Sequence, residues 1–370
     1  MGSRPARRGA LRKGPRRIPA LALLIAACGH SESYKVTAIP DNDLPLSTDA
    51  PSRLTFDPGM DRFPSHSSDG TTLWYSFQSP IRQDGDRCLA RIPAAGGTRT
   101  EFCLDAIEGL TRRDAFDMPS PGPGGQLIYV RYASDIGAFL PDSGTILLAT
   151  EANPMVARPL LRLPTAIDGI GFTYTGRIRW LTPDHIVFVG EDMSVRRICG
   201  SCATKDTIYR GAGLIDGRIT ATGATFAFIP GTLFASDFDF SSGRDSLYFT
   251  ATDDDPVALP RRGHVLFAIP LAGGVPRVVF ATVPGDTLYS VARTTTRFAV
   301  TTKSQIISVD PAAGTSFTLA GPTYGNASKF GLASASPDGC RLTAEFRFPL
   351  VPTYTTDLFR FPSGVSGCPP

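Results

Sequence analysis

From about residue 51 onward the apolar residues come in short runs with alternating neighbours. Examples are Leu73–Phe77, Leu127–Val130, Ile186–Val189 and Leu247–Thr250, each bounded by Pro, Gly, Asp or Ser. Alternation with a period of two, punctuated by turn formers, predicts half-buried strands. Long stretches with a helical period are missing from this part of the chain, and 37 Gly and 32 Pro supply turns throughout. The expected fold class is all-β.

The runs recur behind a shared preface. Copies are Ser67–Tyr75, Ser120–Tyr129, Thr182–Phe188, Ser241–Phe249 and Ser336–Ala344, with a degraded sixth at Ala292–Val300. Asp and Gly in the preface suit a tight turn between two antiparallel strands, because Asp bonds the local backbone and Gly accepts left-handed dihedrals. The pattern resembles the S-P-D-G-x-x-L-x-Y repeat of TolB-like β-propellers, the family that includes the propeller halves of prolyl oligopeptidases; only the last copy has Ser336-Pro337-Asp338-Gly339 in full. The resemblance implies a ring of six blades with cores near 60–105, 109–164, 171–232, 233–281, 285–321 and 327–364. Blade six runs out of chain after three strands, so a strand at Arg53–Phe56 is expected to complete it and close the ring, leaving only short edges. A seven-bladed ring is the alternative, with Thr222–Ile229 as the extra copy.

The first thirty residues follow another pattern. Arg4, Arg7, Arg8, Arg12, Lys13, Arg16 and Arg17 precede the apolar run Ile18–Ile25, which ends in Ala26-Ala27-Cys28. A basic start, a short apolar core and small residues are the layout of an export signal, and the run is too short for a span of roughly 20 helical residues. Ile25-Ala26-Ala27-Cys28 resembles the bacterial lipobox, which implies cleavage before Cys28, its lipidation, and, with Gly29 following, the outer membrane. The expected organisation is a signal peptide at 1–27, a lipidated tether at 28–50 and a propeller at 51–370. Several acyl chains are needed for stable anchoring, since one holds only marginally.

Removing the leader reverses the charge. The whole chain carries 37 Lys and Arg against 34 Asp and Glu; without the seven basic leader residues the balance is −4 rather than +3. No basic stripe or zinc-finger spacing is present, which disfavours nucleic acid as a partner. Setting Cys28 aside leaves six cysteines, the even number expected of an oxidising compartment. Cys88 and Cys103 flank a predicted hairpin symmetrically and are expected to bond across it. Cys340 and Cys368 are expected to staple the C-terminus, and Cys199 and Cys202 to close a local turn.

No Gly-x-Ser-x-Gly elbow, phosphate loop, H-E-x-x-H or dinucleotide fingerprint occurs, so no catalytic residue is assigned. His30, His66, His185 and His264 are too few for a multi-histidine metal site. Asp253-Asp254-Asp255 lacks the spaced ligands of a calcium loop and reads as a solvated turn. The remaining candidates are charges on or beside predicted innermost strands, which would line a central channel: Arg62, Asp114, Asp117, Arg177, Asp237, Asp239 and Arg293. Ion pairing that satisfies the channel is the expected role, and an ion or small polar ligand, calcium included, is the alternative. The functional expectation is a membrane-anchored, non-enzymatic protein-binding or scaffold ring with envelope proteins as partners. A metal-dependent hydrolase of lactonase or esterase type and a small-ligand sensor are the alternatives.

Overall fold

The computed structural model describes residues 52–55, 60–78, 87–103, 112–135, 143–197, 205–251, 265–283, 286–321, 329–347, 356–365 and 368. All of them belong to the compact unit Ile39–Pro370. The leader, Cys28, the tether, Cys199, Cys202, Asp253–Asp255 and Phe56 lie outside the described residues.

Strand β1 is Ser52–Arg53. Blade 1 consists of β2 (Asp61–His66), β3 (Thr72–Phe77), β4 (Cys88–Pro93) and β5 (Thr100–Phe102). Blade 2 has β6 (Arg112–Pro121), β7 (Gln126–Asp135), β8 (Ser143–Thr150) and β9 (Arg158–Leu163). A small hairpin, β10 (Thr165–Ile167) and β11 (Ile170–Phe172), leads into blade 3. Blade 3 has β12 (Tyr174–Thr182), β13 (His185–Arg197), β14 (Lys205–Ile219) and β15 (Ala224–Phe228). Blade 4 has β16 (Ala235–Phe240), β17 (Ser246–Ala251), β18 (Val265–Pro270) and β19 (Arg277–Ala281); blade 5 has β20 (Ser290–Arg293), β21 (Phe298–Thr301), β22 (Ile306–Val309) and β23 (Ser316–Ala320). Blade 6 is built from β24 (Lys329–Ala335), β25 (Arg341–Arg347) and β26 (Thr356–Pro362), with β1 as its outer strand.

Each first strand contacts the first strand of the next blade, and β24 returns to β2, so these six strands enclose a channel. The chain is a six-bladed β-propeller.

Closure follows the expected route. Ser52 pairs with Arg360 and Arg53 with Phe359, and the Leu54 amide donates to the Leu358 carbonyl at 2.8 Å. The seven-blade alternative is excluded because Thr222–Ile229 contributes β15, the outer strand of blade 3, rather than the core of another blade.

The repeated preface forms the turn between first and second strands. Asp69 accepts from Ser67 Oγ at 2.6 Å and from the Thr71 amide at 3.0 Å, while Gly70 takes φ +71°. In blade 6 Asp338 repeats this with Ser336 Oγ (2.5 Å) and the Cys340 amide (3.0 Å). These bonds hold both carboxyls below their ordinary range.

The core lies between blades. Leu181, Val187 and Leu214 of blade 3 pack against Phe238, Phe240 and Phe249 of blade 4, and Tyr248 and Leu266 meet Val291, Phe298 and Val300 of blade 5. Each such buried side chain contributes about 1.5–3 kcal/mol. Disulfides Cys88–Cys103 and Cys340–Cys368 join the pairs expected from their strand positions.

Candidate functional site

The innermost strands are not regular. Register slips by a bulge between first and second strands in blades 1, 2, 3, 4 and 6, at Arg62/Ser65, Asp117/Ser120, Thr175/Ile178, Ala235/Asp237 and Phe330/Ala333. Bulges re-aim side chains. Phe63 and Met118, each followed by proline, adopt φ +59° and +53° there. Together with Ile178 and Leu332 they form an apolar collar around a cavity of about 10 Å³, which Arg177 also lines.

Next to this collar, hydrogen bonds and ion pairs join every neighbouring pair of blades. Between blades 1 and 2, Arg87 forms a two-pronged pair with the fully buried Asp117. From blade 3 the Tyr174 hydroxyl donates to Asp117 Oδ2 at 3.0 Å, and Trp180 Nε1 donates to the Ser120 carbonyl at 2.9 Å. Between blades 3 and 4, Arg177 Nε lies 3.0 Å from Asp237 Oδ1, and Arg179 donates to the Phe238 carbonyl at 2.7 Å and pairs with Asp239 at 3.3 Å.

Asp237 Oδ2 accepts from Ser290 Oγ at 2.5 Å and from the Val291 amide at 3.0 Å in blade 5, while Asp239 Oδ2 accepts from the Arg293 amide at 2.7 Å. The Ala333 amide of blade 6 donates to Ser290 Oγ at 3.0 Å. The circle closes where the Phe63 amide of blade 1 donates to Glu345 Oε1 of blade 6 at 2.6 Å.

Of the seven channel candidates, Asp117, Arg177, Asp237 and Asp239 sit in this network as buried groups. Arg293 joins through its backbone, and its charge reaches Arg179. Arg62 lies 4.6 Å over the Phe63 ring, and its charge reaches both Glu191 and Glu345. Asp114 also joins through its backbone, its carbonyl accepting the Arg87 amide of blade 1 at 3.3 Å, while its carboxylate pairs with Arg131 at 2.8 Å in a partly exposed contact near the start of β6.

Sequence reasoning missed Arg87, Tyr174, Arg179, Glu191 and Glu345. The two glutamates stand on second strands and reach inward past glycine. An added Cβ at Gly176 would come within 2.8 Å of Glu191 Oε1, and one at Gly331 would overlap Glu345 Oε2. A glycine in a first strand opposite a glutamate in the second is the signal that marks them.

Burial lifts both carboxyls. Glu191 is pushed up to about 8 by desolvation, with Asp237 adding and Arg62 opposing; Glu345 rises for the same main reason, opposed by Arg62 and the Phe63 amide.

A lactonase-type calcium would need several convergent, ionised oxygen ligands. Asp237 is occupied by blade 5 donors and faces Arg177, and Glu345 holds a backbone amide. Among the described residues, no three His, Cys, Asp or Glu side chains group closely enough to hold a metal ion. The described channel residues, as arranged, do not fit calcium.

No protein-family model and no curated sequence matches the chain. Solved structures do match. A gluconolactonase from Xanthomonas campestris is 12% identical with a TM-score of 0.55, covering 85% of this chain and 89% of that one. A glucose-dehydrogenase-type oxidoreductase from Thermus thermophilus is 12% identical at 0.52, over 84% and 98%. TolB from Acinetobacter baumannii is 9% identical at 0.48, over 80% and 65%. The first two likenesses establish the shared propeller fold.

Proposed function

We propose that this protein is an exported, lipid-anchored binding ring whose channel is structural and whose outer surface engages an extended apolar segment of an envelope protein. The observation that carries this reading is the circle of interblade bonds that engages the channel charges, while the collar cavity beside Arg177 measures only about 10 Å³. Substrate-binding clefts are typically 300–1,000 Å³. The basic leader, the residues around Cys28 and two disulfides support export.

Blade 4 offers the apolar surface. A cleft of about 250 Å³ is lined by Gly231, Leu233, Phe249, Ala251, Phe267 and Pro276. Beside it Val275 is 90% and Val278 60% exposed, on or next to β19, the last strand in its sheet order. A peptide strand can pair with such an edge while its side chains enter the neighbouring cleft.

The test is a photo-crosslinker at position 278 in cells. A discrete adduct that disappears with Val275→Lys, while membrane anchoring persists, is expected. No adduct, or one indifferent to Val275→Lys, overturns the surface assignment. Metal-dependent lactone or ester hydrolysis by the purified chain would instead favour the hydrolase reading, to which the solved gluconolactonase neighbour points.

A further inference from the structure

The cleft of blade 4 has a rim set by two crossing loops. Where the connector from β15 to β16 meets the turn from β18 to β19, the Gly274 amide donates to the Pro230 carbonyl at 3.1 Å. Only glycine fits at this crossing. Gly231 and Gly273 take φ +88° and +85°, and a Cβ at Gly231 would come within 2.0 Å of the Gly274 carbonyl oxygen. On the same connector, Thr232 Oγ1 donates to the Ile229 carbonyl at 2.7 Å and accepts the Leu214 amide at 3.0 Å. Backbone contacts thus hold the rim in place.

The walls below it are entirely apolar. Gly231, Leu233, Phe249, Ala251, Phe267 and Pro276 enclose about 250 Å³, with no charged or hydrogen-bonding side chain among them. Sugars, anions and metal ions would lose their hydration there without replacement. A cavity of about 150 Å³ takes up one benzene ring, so this volume suits one or two fused rings. Two of the wall residues are themselves rings: Phe249 and Phe267 stack at 5.4 Å with 24° between their planes. They continue a cross-strand row that starts at Phe238 and ends at Val278, which is 60% exposed. The outermost ring of that row, Phe267, is only partly buried.

We propose that this cleft binds a compact, uncharged aromatic molecule of one or two fused rings, seated against Phe249 and Phe267. Ring-on-ring contact is worth up to about tenfold in affinity beyond the area it buries. The site is separate from the channel. It borders the edge proposed for the partner segment, but the ligand does not depend on that segment.

Calorimetry on the full chain carrying Cys28→Ser, kept free of detergent that would compete for the cleft, tests this. The probes are beta-naphthol and its fully hydrogenated analogue, which share one skeleton with and without aromatic rings. Beta-naphthol should bind one to one, about tenfold tighter than the saturated alcohol. Crystals soaked in bromo-beta-naphthol should show the bromine anomalous peak between Leu233 and Phe267. Phe267→Leu, which keeps the wall apolar, should erase the preference for the aromatic probe. If that variant does not fold, Leu233→Asp, at a rim position already 44% exposed, should still weaken beta-naphthol binding by about tenfold or more. No saturable binding, equal affinity for the two alcohols, a bromine peak elsewhere, or binding that survives Leu233→Asp would each overturn the proposal. No partner protein enters these measurements, so their failure strikes the cleft ligand alone, whereas a missing crosslink at position 278 strikes the docking edge.

Discussion

The Asp237 carboxylate of blade 4 accepts the Val291 amide of blade 5 at 3.0 Å, and two residues on Asp239 does the same for the Arg293 amide at 2.7 Å. One strand thus reads the backbone of the next through alternate side chains, as the two-residue period of a strand allows. Removing one partner from a buried network leaves the other uncompensated. Asp237→Ala should therefore lower unfolding stability by about 3 kcal/mol in urea titrations. Asp239→Ala, whose carboxylate is less buried, should cost less.

Ring closure depends on the Glu345 contact with the Phe63 amide, and Gly331 makes space for it. Gly331 has no left-handed dihedral, so its constraint is steric. Gly331→Ala should destabilise by about 2 kcal/mol, and much of that cost should vanish in a Glu345→Ala background. A double-mutant cycle measures the coupling, and additive effects would refute the contact.

Titration of Glu191 gives the protein an alkaline weakness. Its folded value is about 8 against an ordinary 4.5. Between those values the native state keeps a proton that the unfolded chain has released, so stability falls as pH rises through that window. Buried His66, lowered to about 4 by desolvation with Arg341 adding, acts oppositely below 6.5. The net fall should therefore appear between about 6.5 and 8, on the order of 2 kcal/mol. Glu191→Gln should flatten it, as urea midpoints across that range will show.

The strands, six blades, closing strand and two disulfide pairs were legible in the sequence because each leaves a local mark: alternation, an Asp-Gly turn, or symmetric spacing. Asp237 and Asp239 were legible too, since both lie on one predicted strand. Glu191 and Glu345 were not, because inward access for a second-strand residue depends on a bulge and a glycine in its neighbour. Arg87 precedes its strand, and the Asp114 carboxylate pairs with Arg131 of the second strand in its own blade. Such positions are set by register between strands far apart in the chain.

The proposed lipid anchor is tested at Cys28. Cys28→Ser should leave the propeller folded, with its disulfides formed, and move it from the membrane to the soluble fraction. Fractionation with fatty-acid labelling checks this; retention of an unlabelled variant on membranes would contradict lipid anchoring.

In the proposed function the channel charges hold the ring together rather than bind a catalytic metal. Calcium titration of the full chain by calorimetry, followed by a lactone-hydrolysis assay on the same sample, is the most direct measurement. The interblade network predicts no saturable calcium heat and no calcium-dependent turnover. One-to-one binding with hydrolysis that Asp237→Asn abolishes would contradict it.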